Sequence, residues 1–260
     1  MTSDAHVLEL RGITKAFPGV IANDDVTLRV RGGEVHGLLG ENGAGKTTLM
    51  KILYGLYQPT RGQIVHRGTP VVLRSPKDAL RLGIGMVHRP CKLVPQLNVA
   101  ENIVLGLKTR TSPWLDLKGA RAAIRALGAD YGLEVDPEAP VWTLSTGEQQ
   151  RVEILKALYR KAQLLILDEP TAVLTPQESE ALFDTLKRLV DAGLTIIFIS
   201  HKLKEIAAVT HRVTVLRRGK VEATLDTADT TREELARLMV GREVLFRLEK
   251  APAQPGEVVL

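Results

Sequence analysis

An α/β fold is predicted by three features of the sequence. A glycine-rich loop, Gly40-Glu41-Asn42-Gly43-Ala44-Gly45-Lys46-Thr47-Thr48, lies between the apolar run 35–39 and helix-forming residues 49–54. It matches G-x-x-x-x-G-K-[ST] without a mismatch, in the strand–loop–helix setting that the motif needs. Short apolar runs at 84–87, 164–167 and 194–199 read as buried strands separated by capped helices, the texture of an α/β domain. Two of those runs deliver polar groups at their ends, Asp168-Glu169 and Ser200-His201. In a parallel sheet the carboxyl ends of the strands share one edge, where ligands bind.

Taken in order, residues 7–10 alternate apolar and charged side chains and read as a strand. Phe17 follows in a turn, Lys15-Ala16-Phe17-Pro18-Gly19, where it either stacks on a purine or plugs the sheet edge. Residues 26–30 form a second strand ended by Gly32-Gly33, and the glycine-rich loop follows a third. Residues 63–73 are strand-rich, and Ser75-Pro76-Lys77-Asp78 starts a helix that stops at Gly83. From His88 to about Ala162 the texture becomes helical: a cap at Asn98 opens a helix to Leu107, 109–113 reads as a loop, and Ala123, Leu127 and Tyr131 recur at helical spacing within 116–133. Ser145 with Glu148, and Thr175 with Glu178, are capping boxes opening helices to Arg160 and Ala192. Residues 212–225 read as a hairpin about Gly219, 231–239 as a capped helix, and the chain from Glu243 as a polar tail.

The 260 residues are enough for one large domain or two small ones, and 44% hydrophobic with 25% charged residues describes an ordinary core. A net charge of +5 is spread rather than clustered, and only 4% of residues are aromatic, which argues against a nucleic-acid surface with stacking platforms. The single cysteine, Cys91, excludes an internal disulfide framework and suits a reducing compartment. The opening residues do not read as a signal peptide, and no apolar run approaches a membrane span, so any membrane role is expected to act through a partner.

The chemistry concentrates on phosphate. Glycines let the loop backbone approach phosphate oxygens, and its amides with the following helix start supply partial positive charge. Lys46 is placed for the β- and γ-phosphates and Thr47 for Mg²⁺. Two adjacent acids, Asp168 and Glu169, need a cation, naturally a metal beside a phosphate.

The loop, Leu144-Ser145-Thr146-Gly147-Glu148-Gln149, the strand with Asp168-Glu169, and Ser200-His201 occur in the order found in ATP-binding cassette ATPases, and residues 7–242 resemble that family. Phe17-Pro18-Gly19-Val20, Val99-Ala100-Glu101-Asn102-Ile103 and Glu169-Pro170-Thr171-Ala172-Val173-Leu174-Thr175 further resemble the subfamily that energises uptake of simple sugars and nucleosides. The resemblance implies a P-loop NTPase: a RecA-like core with a mixed sheet and an N-terminal antiparallel β subdomain (residues 1–88 and 163–242), a helical insertion at 89–162, and a tail or linker at 243–260. It implies ATP and Mg²⁺ as ligands. Gly40, Glu41, Asn42, Gly43, Ala44, Gly45, Lys46, Thr47 and Thr48 would hold the nucleotide, and Phe17 would stack on adenine. Thr47 and Asp168 would serve the metal, Glu169 would polarise water, and His201 would meet the γ-phosphate. Ser145, Gly147 and Glu148 would bind the γ-phosphate of a second cassette. Implied partners are membrane permease subunits, that second cassette and an external substrate-binding protein, at the cytoplasmic face of the membrane. Residues 256–260 faintly echo the opening strand, as expected of the first cassette of a tandem protein.

Two positions depart from the family pattern. After His88 the family usually has Gln; here Arg89 has no acceptor for a metal. A water in its place is the favoured reading, ahead of slow hydrolysis and of Gln96 reaching in from a shifted loop. Thr175 stands where many cassettes place Asp. The competing readings are a soluble, non-transport cassette ATPase and a nucleotide-binding cassette with weak hydrolysis.

Overall fold

The computed structural model describes residues 6–87, 91–107 and 116–241. Arg89, the loop expected at 109–113 and the tail from 243, with its echo of the opening strand, lie outside the described residues.

The chain starts with a long hairpin, β1 (His6–Phe17) and β2 (Val20–Arg31), then enters β3 (Val35–Leu39) and α1 (Lys46–Leu53). Next come β4 (Arg61–His66), β5 (Thr69–Val71), α2 (Pro76–Arg81) and β6 (Ile84–Val87). A helical stretch follows, α3 (Val99–Val104), α4 (Leu117–Tyr131) and α5 (Thr146–Tyr159). The chain then alternates β7 (Leu164–Asp168), α6 (Pro176–Asp191), β8 (Thr195–Ser200) and α7 (Leu203–Val209). It closes with β9 (Arg212–Arg217), β10 (Lys220–Asp226) and α8 (Arg232–Val240).

These strands form two sheets. The smaller is antiparallel, in the order β2-β1-β4-β5. The larger runs β10-β9-β3-β8-β7-β6, parallel throughout except for the β9–β10 hairpin. Its inner strands are apolar without alternation because both faces are covered. Val35, Leu39, Leu165, Leu167, Ile196 and Phe198 pack with α3 to α8 on one side. Leu38, Ile84, Leu164, Ile166, Ile197 and Ile199 pack on the other, where α1 (Leu49, Met50, Ile52, Leu53) is flanked by the inner face of the small sheet (Leu8, Leu10, Leu28, Val30). The glycine-rich loop at 40–45 is thereby pinned at both ends, by β3 in the middle of the large sheet and by a helix, α1, whose apolar face is wholly buried.

Several expectations shift at the edges. The first two strands are each 12 residues long, well beyond 7–10 and 26–30. Their ladder is broken by register shifts, with Gly12 (φ +61°) and Asp25 (φ +52°) in left-handed conformations, which hides the period-two pattern. Phe17 therefore ends a strand instead of occupying a turn. At the start of α2, Ser75 accepts no capping bond; its hydroxyl donates to Asp78 Oδ2 at 2.9 Å. The helix from Asn98 ends at Val104, short of Leu107. Helix α7 carries no marked start signal, since Lys202 precedes it with no side-chain cap.

Candidate functional site

Local chemistry explains the loop's shape. Gly43 (φ +82°) and Gly45 (φ +100°) take conformations open chiefly to glycine. At Gly45 a Cβ would also lie 2.4 Å from the Ala22 carbonyl oxygen, so β2 and the loop touch backbone to backbone. Asn23 Nδ2 donates to the Gly45 carbonyl at 3.3 Å, and the Gly219 amide donates to the Ala44 carbonyl at 3.1 Å. The loop is thus held between β2 and the β9–β10 turn.

These elements enclose a cleft of about 440 Å³ lined by Val20, Ile21, Ala22, residues 42–48, Glu169, Arg218 and Gly219. Lys46 is 5% exposed, and its Nζ donates to the carbonyls of Gly40 (2.7 Å) and Glu41 (2.9 Å). Burial pushes its ammonium below the ordinary lysine value, while the negative charges of Glu169 and Asp168 pull it back up. That coupling places both carboxylates of the β7 end within electrostatic reach of the lysine. Glu169 carries φ +48°, a left-handed backbone unusual for a non-glycine residue and a form of strain that clusters at functional sites. Its Oε1 lies 2.9 Å from His201 Nδ1, joining the ends of β7 and β8.

The donors beside the loop suit a small hard cation. Thr47 and Asp168 offer a hydroxyl and a carboxylate, and Mg²⁺ characteristically takes one or two protein oxygens together with substrate phosphates. Among the described residues no group of three or more His, Cys, Asp or Glu side chains forms a self-sufficient metal site. A metal at the loop would therefore depend on nucleotide oxygens.

Two sequence-predicted features sit elsewhere. The Phe17 ring meets Tyr57 edge-on at 5.5 Å, with Lys15 Nζ 5.0 Å from its centroid; Val20, its antiparallel partner across the hairpin, lines the cleft together with Ile21. Ser145 and Glu148 form a reciprocal capping box at the start of α5: Glu148 Oε2 accepts the Ser145 amide at 2.8 Å, and Ser145 Oγ accepts the Glu148 amide at 3.3 Å. The Ser145 amide and hydroxyl hold the Glu148 carboxyl below its ordinary value. Gly147 borders a separate small cavity with Leu174 and Glu178, and a Cβ there would lie 2.6 Å from Glu178 Oε1. None of residues 145–148 lines the cleft of this chain's own loop. Gln96 lies in an exposed turn and does not line it either.

Sequence reasoning missed the cleft's other walls. Val20 and Ile21, each 57% exposed, look like core residues of a strand, and Arg218 looks like an ordinary hairpin turn residue. The signal present was Gly219, whose approach to Ala22 (a Cβ would sit 2.9 Å from its carbonyl oxygen) brings that turn against the loop.

The fold and the loop together define an α/β nucleotide-binding cassette. The chain belongs to the ABC transporter family, whose description matches residues 23–172. It is 54% identical to the guanosine import ATP-binding protein NupO of Bacillus subtilis over 98% of its length, and 52% identical to the glucose import ATP-binding protein TsgD13 of Haloferax volcanii over 97%. A ribose import ATP-binding protein of Rubrobacter xylanophilus is 48% identical over 98%. The chain spans about half the length of these curated relatives: 50%, 51% and 51%. Among solved structures, cbiO1 of Clostridium perfringens, part of the ABC transporter complex cbiONQ, superposes with TM-score 0.77 at 26% identity, covering 90% of this chain and 93% of that one. A nucleotide-free ATP-binding cassette of an ABC transporter has the same fold, at TM-score 0.75 and 21% identity, covering 91% and 95%.

Proposed function

We propose that the chain is the ATP-hydrolysing part of an importer for a simple sugar or nucleoside, working peripherally at the cytoplasmic face of the cell membrane. The observation that carries the transport reading is its near-complete alignment, at about half identity, with proteins named for glucose, guanosine and ribose import. No described helix is long and apolar enough to cross a membrane, so permease subunits would supply the passage and, with an external binding protein, the specificity. The half-length match supports a second cassette in the same working unit, fused or associated. The core at residues 1–88 and 163–242 and the helical insertion at 89–162 would be its two mechanical parts.

In this reading the triphosphate occupies the cleft at residues 40–48. Lys46 would exchange the Gly40 and Glu41 carbonyls for phosphate oxygens, a charge-assisted contact about twice as strong as a neutral one. Thr47 and Asp168 would hold Mg²⁺, which when bound neutralises charge on the phosphates. Glu169 would orient and polarise the attacking water. Its bond to His201 Nδ1 fixes the ring and leaves the other nitrogen for the γ-phosphate. That pair favours turnover over mere nucleotide binding. Phe17, from its place beside Tyr57, would flank the base, with Val20 and Ile21 as the nearer apolar wall.

Ser145, Gly147 and Glu148 lie outside this chain's own cleft, as a split site requires. They would present the start of α5 to the γ-phosphate of the opposite cassette, closing the site and excluding water. The test is uptake of labelled ribose, galactose, glucose and nucleosides by cells deleted for the gene. Restoration of one of these by the wild type but not by Lys46→Ala supports the proposal; undiminished uptake of all of them in the deletion strain rejects it.

A further inference from the structure

Glu169 and His201 sit just past the ends of β7 and β8, where ladder pairing stops. A third carboxylate spans the two segments. Glu205, in the first turn of α7, is 8% exposed. Its Oε1 accepts a hydrogen bond from Thr171 Oγ1 at 2.6 Å, and its Oε2 accepts one from Ser200 Oγ at 2.8 Å. Thr171 is two residues beyond Glu169, and Ser200 directly precedes His201. Each carboxylate oxygen therefore takes hold of one of the two segments whose side chains meet at 2.9 Å.

Lys202 completes the arrangement. Its Nζ lies 2.9 Å from Glu205 Oε1 and donates to the Thr171 carbonyl at 3.3 Å, while its backbone amide donates to Ser200 Oγ at 3.0 Å. Burying a carboxylate is costly unless it is paired and bonded. An apolar side chain at this position of α7 could fill the same space without that cost, but it could not join Thr171, in the turn after β7, to Ser200 at the end of β8. The left-handed backbone of Glu169 also needs surroundings that hold it.

We propose that Glu205 is a positioning residue for ATP hydrolysis: through Thr171 and Ser200 it sets the spacing and orientation of Glu169 relative to His201. The proposal rests on the ATPase reading above. The alternative is a carboxylate that merely favours the positive end of a short helix.

The two separate in steady-state ATP turnover and fluorescent-ATP binding, measured on the chain in its native complex. Glu205→Gln keeps the shape, replaces one acceptor by a donor and removes the pair with Lys202. The expected result is a kcat lower by about 10- to 100-fold, the scale of a small misplacement of reacting groups, with KM and nucleotide affinity within about twofold. Thr171→Val falls similarly, and Thr171→Ser recovers the rate by restoring the hydroxyl. The double variant Glu205→Gln/Thr171→Val is no slower than the slower single, because both break one linkage. Unchanged kcat in Glu205→Gln, multiplied losses in the double variant, or a kcat loss matched by loss of nucleotide affinity and of thermal stability each overturn the proposal. A wild type no faster than Glu169→Gln overturns the ATPase reading and the proposal with it. A hydrolysing wild type with a fully active Glu205→Gln overturns the proposal alone.

Discussion

Replacing Gly45 by alanine probes the contact that shapes the glycine-rich loop. At φ +100° an alanine suffers the left-handed penalty of about 1–2 kcal/mol. Its Cβ would also stand 2.4 Å from the Ala22 carbonyl oxygen and 2.7 Å from Asn23 Nδ2. The first neighbour is backbone and cannot swing away, so the loop must move from β2, an overpacking cost of about 1–3 kcal/mol. Gly43→Ala is the internal control. Its φ of +82° carries a similar dihedral penalty, yet a Cβ there meets nothing within 4 Å. Denaturant unfolding of the nucleotide-free protein should therefore show Gly45→Ala less stable than Gly43→Ala by the packing term, about 1–3 kcal/mol. Fluorescent-ATP titration should show weakened binding in Gly45→Ala. Equal stabilities for the two variants would refute the claim that contact with β2 holds the loop.

Two further outcomes follow from buried charges. Glu34 is 6% exposed; burial raises its pKa, but His36 Nδ1 at 2.9 Å, the Arg31 amide at 2.9 Å and Arg212 at 3.6 Å outweigh this and leave it below the ordinary glutamate value. A depressed carboxyl stabilises above its unfolded pKa and loses that contribution as pH falls through the folded one. Glu34→Gln should cost about 1–3 kcal/mol at pH 7, and its deficit should shrink as pH falls below about 4. Chemical denaturation across pH checks this, and a deficit independent of pH would contradict it. Lys46→Ala should weaken ATP binding by about 10- to 100-fold, the worth of one or two charge-assisted bonds, read by fluorescent-nucleotide titration.

What was legible in the sequence was mostly local. The loop at 40–48 declares itself because phosphate binding needs fixed residues at fixed spacing. The boxes at Asn98, Ser145 and Thr175 all form as read, because each is a contact across three residues. The acids at 168 and 169 and His201 could be placed on one sheet edge because parallel order does that to any strand end. Illegible features arise from distant pairing. Thr171 and Glu205 meet across 34 residues, and the Gly219 turn reaches the loop only through the sheet order. The opening strands extend beyond their alternating segments because the ladder shifts register, and Phe17 consequently belongs to β1 beside Tyr57.

The central claim is that the cleft hydrolyses ATP with Glu169 acting on water. Steady-state turnover of the wild type against Glu169→Gln, with fluorescent-ATP affinity measured on both, tests it most directly. The account predicts a rate at least about 100-fold lower in the variant, the scale of a lost general base, with nucleotide affinity retained within about twofold. Indistinguishable rates would contradict it.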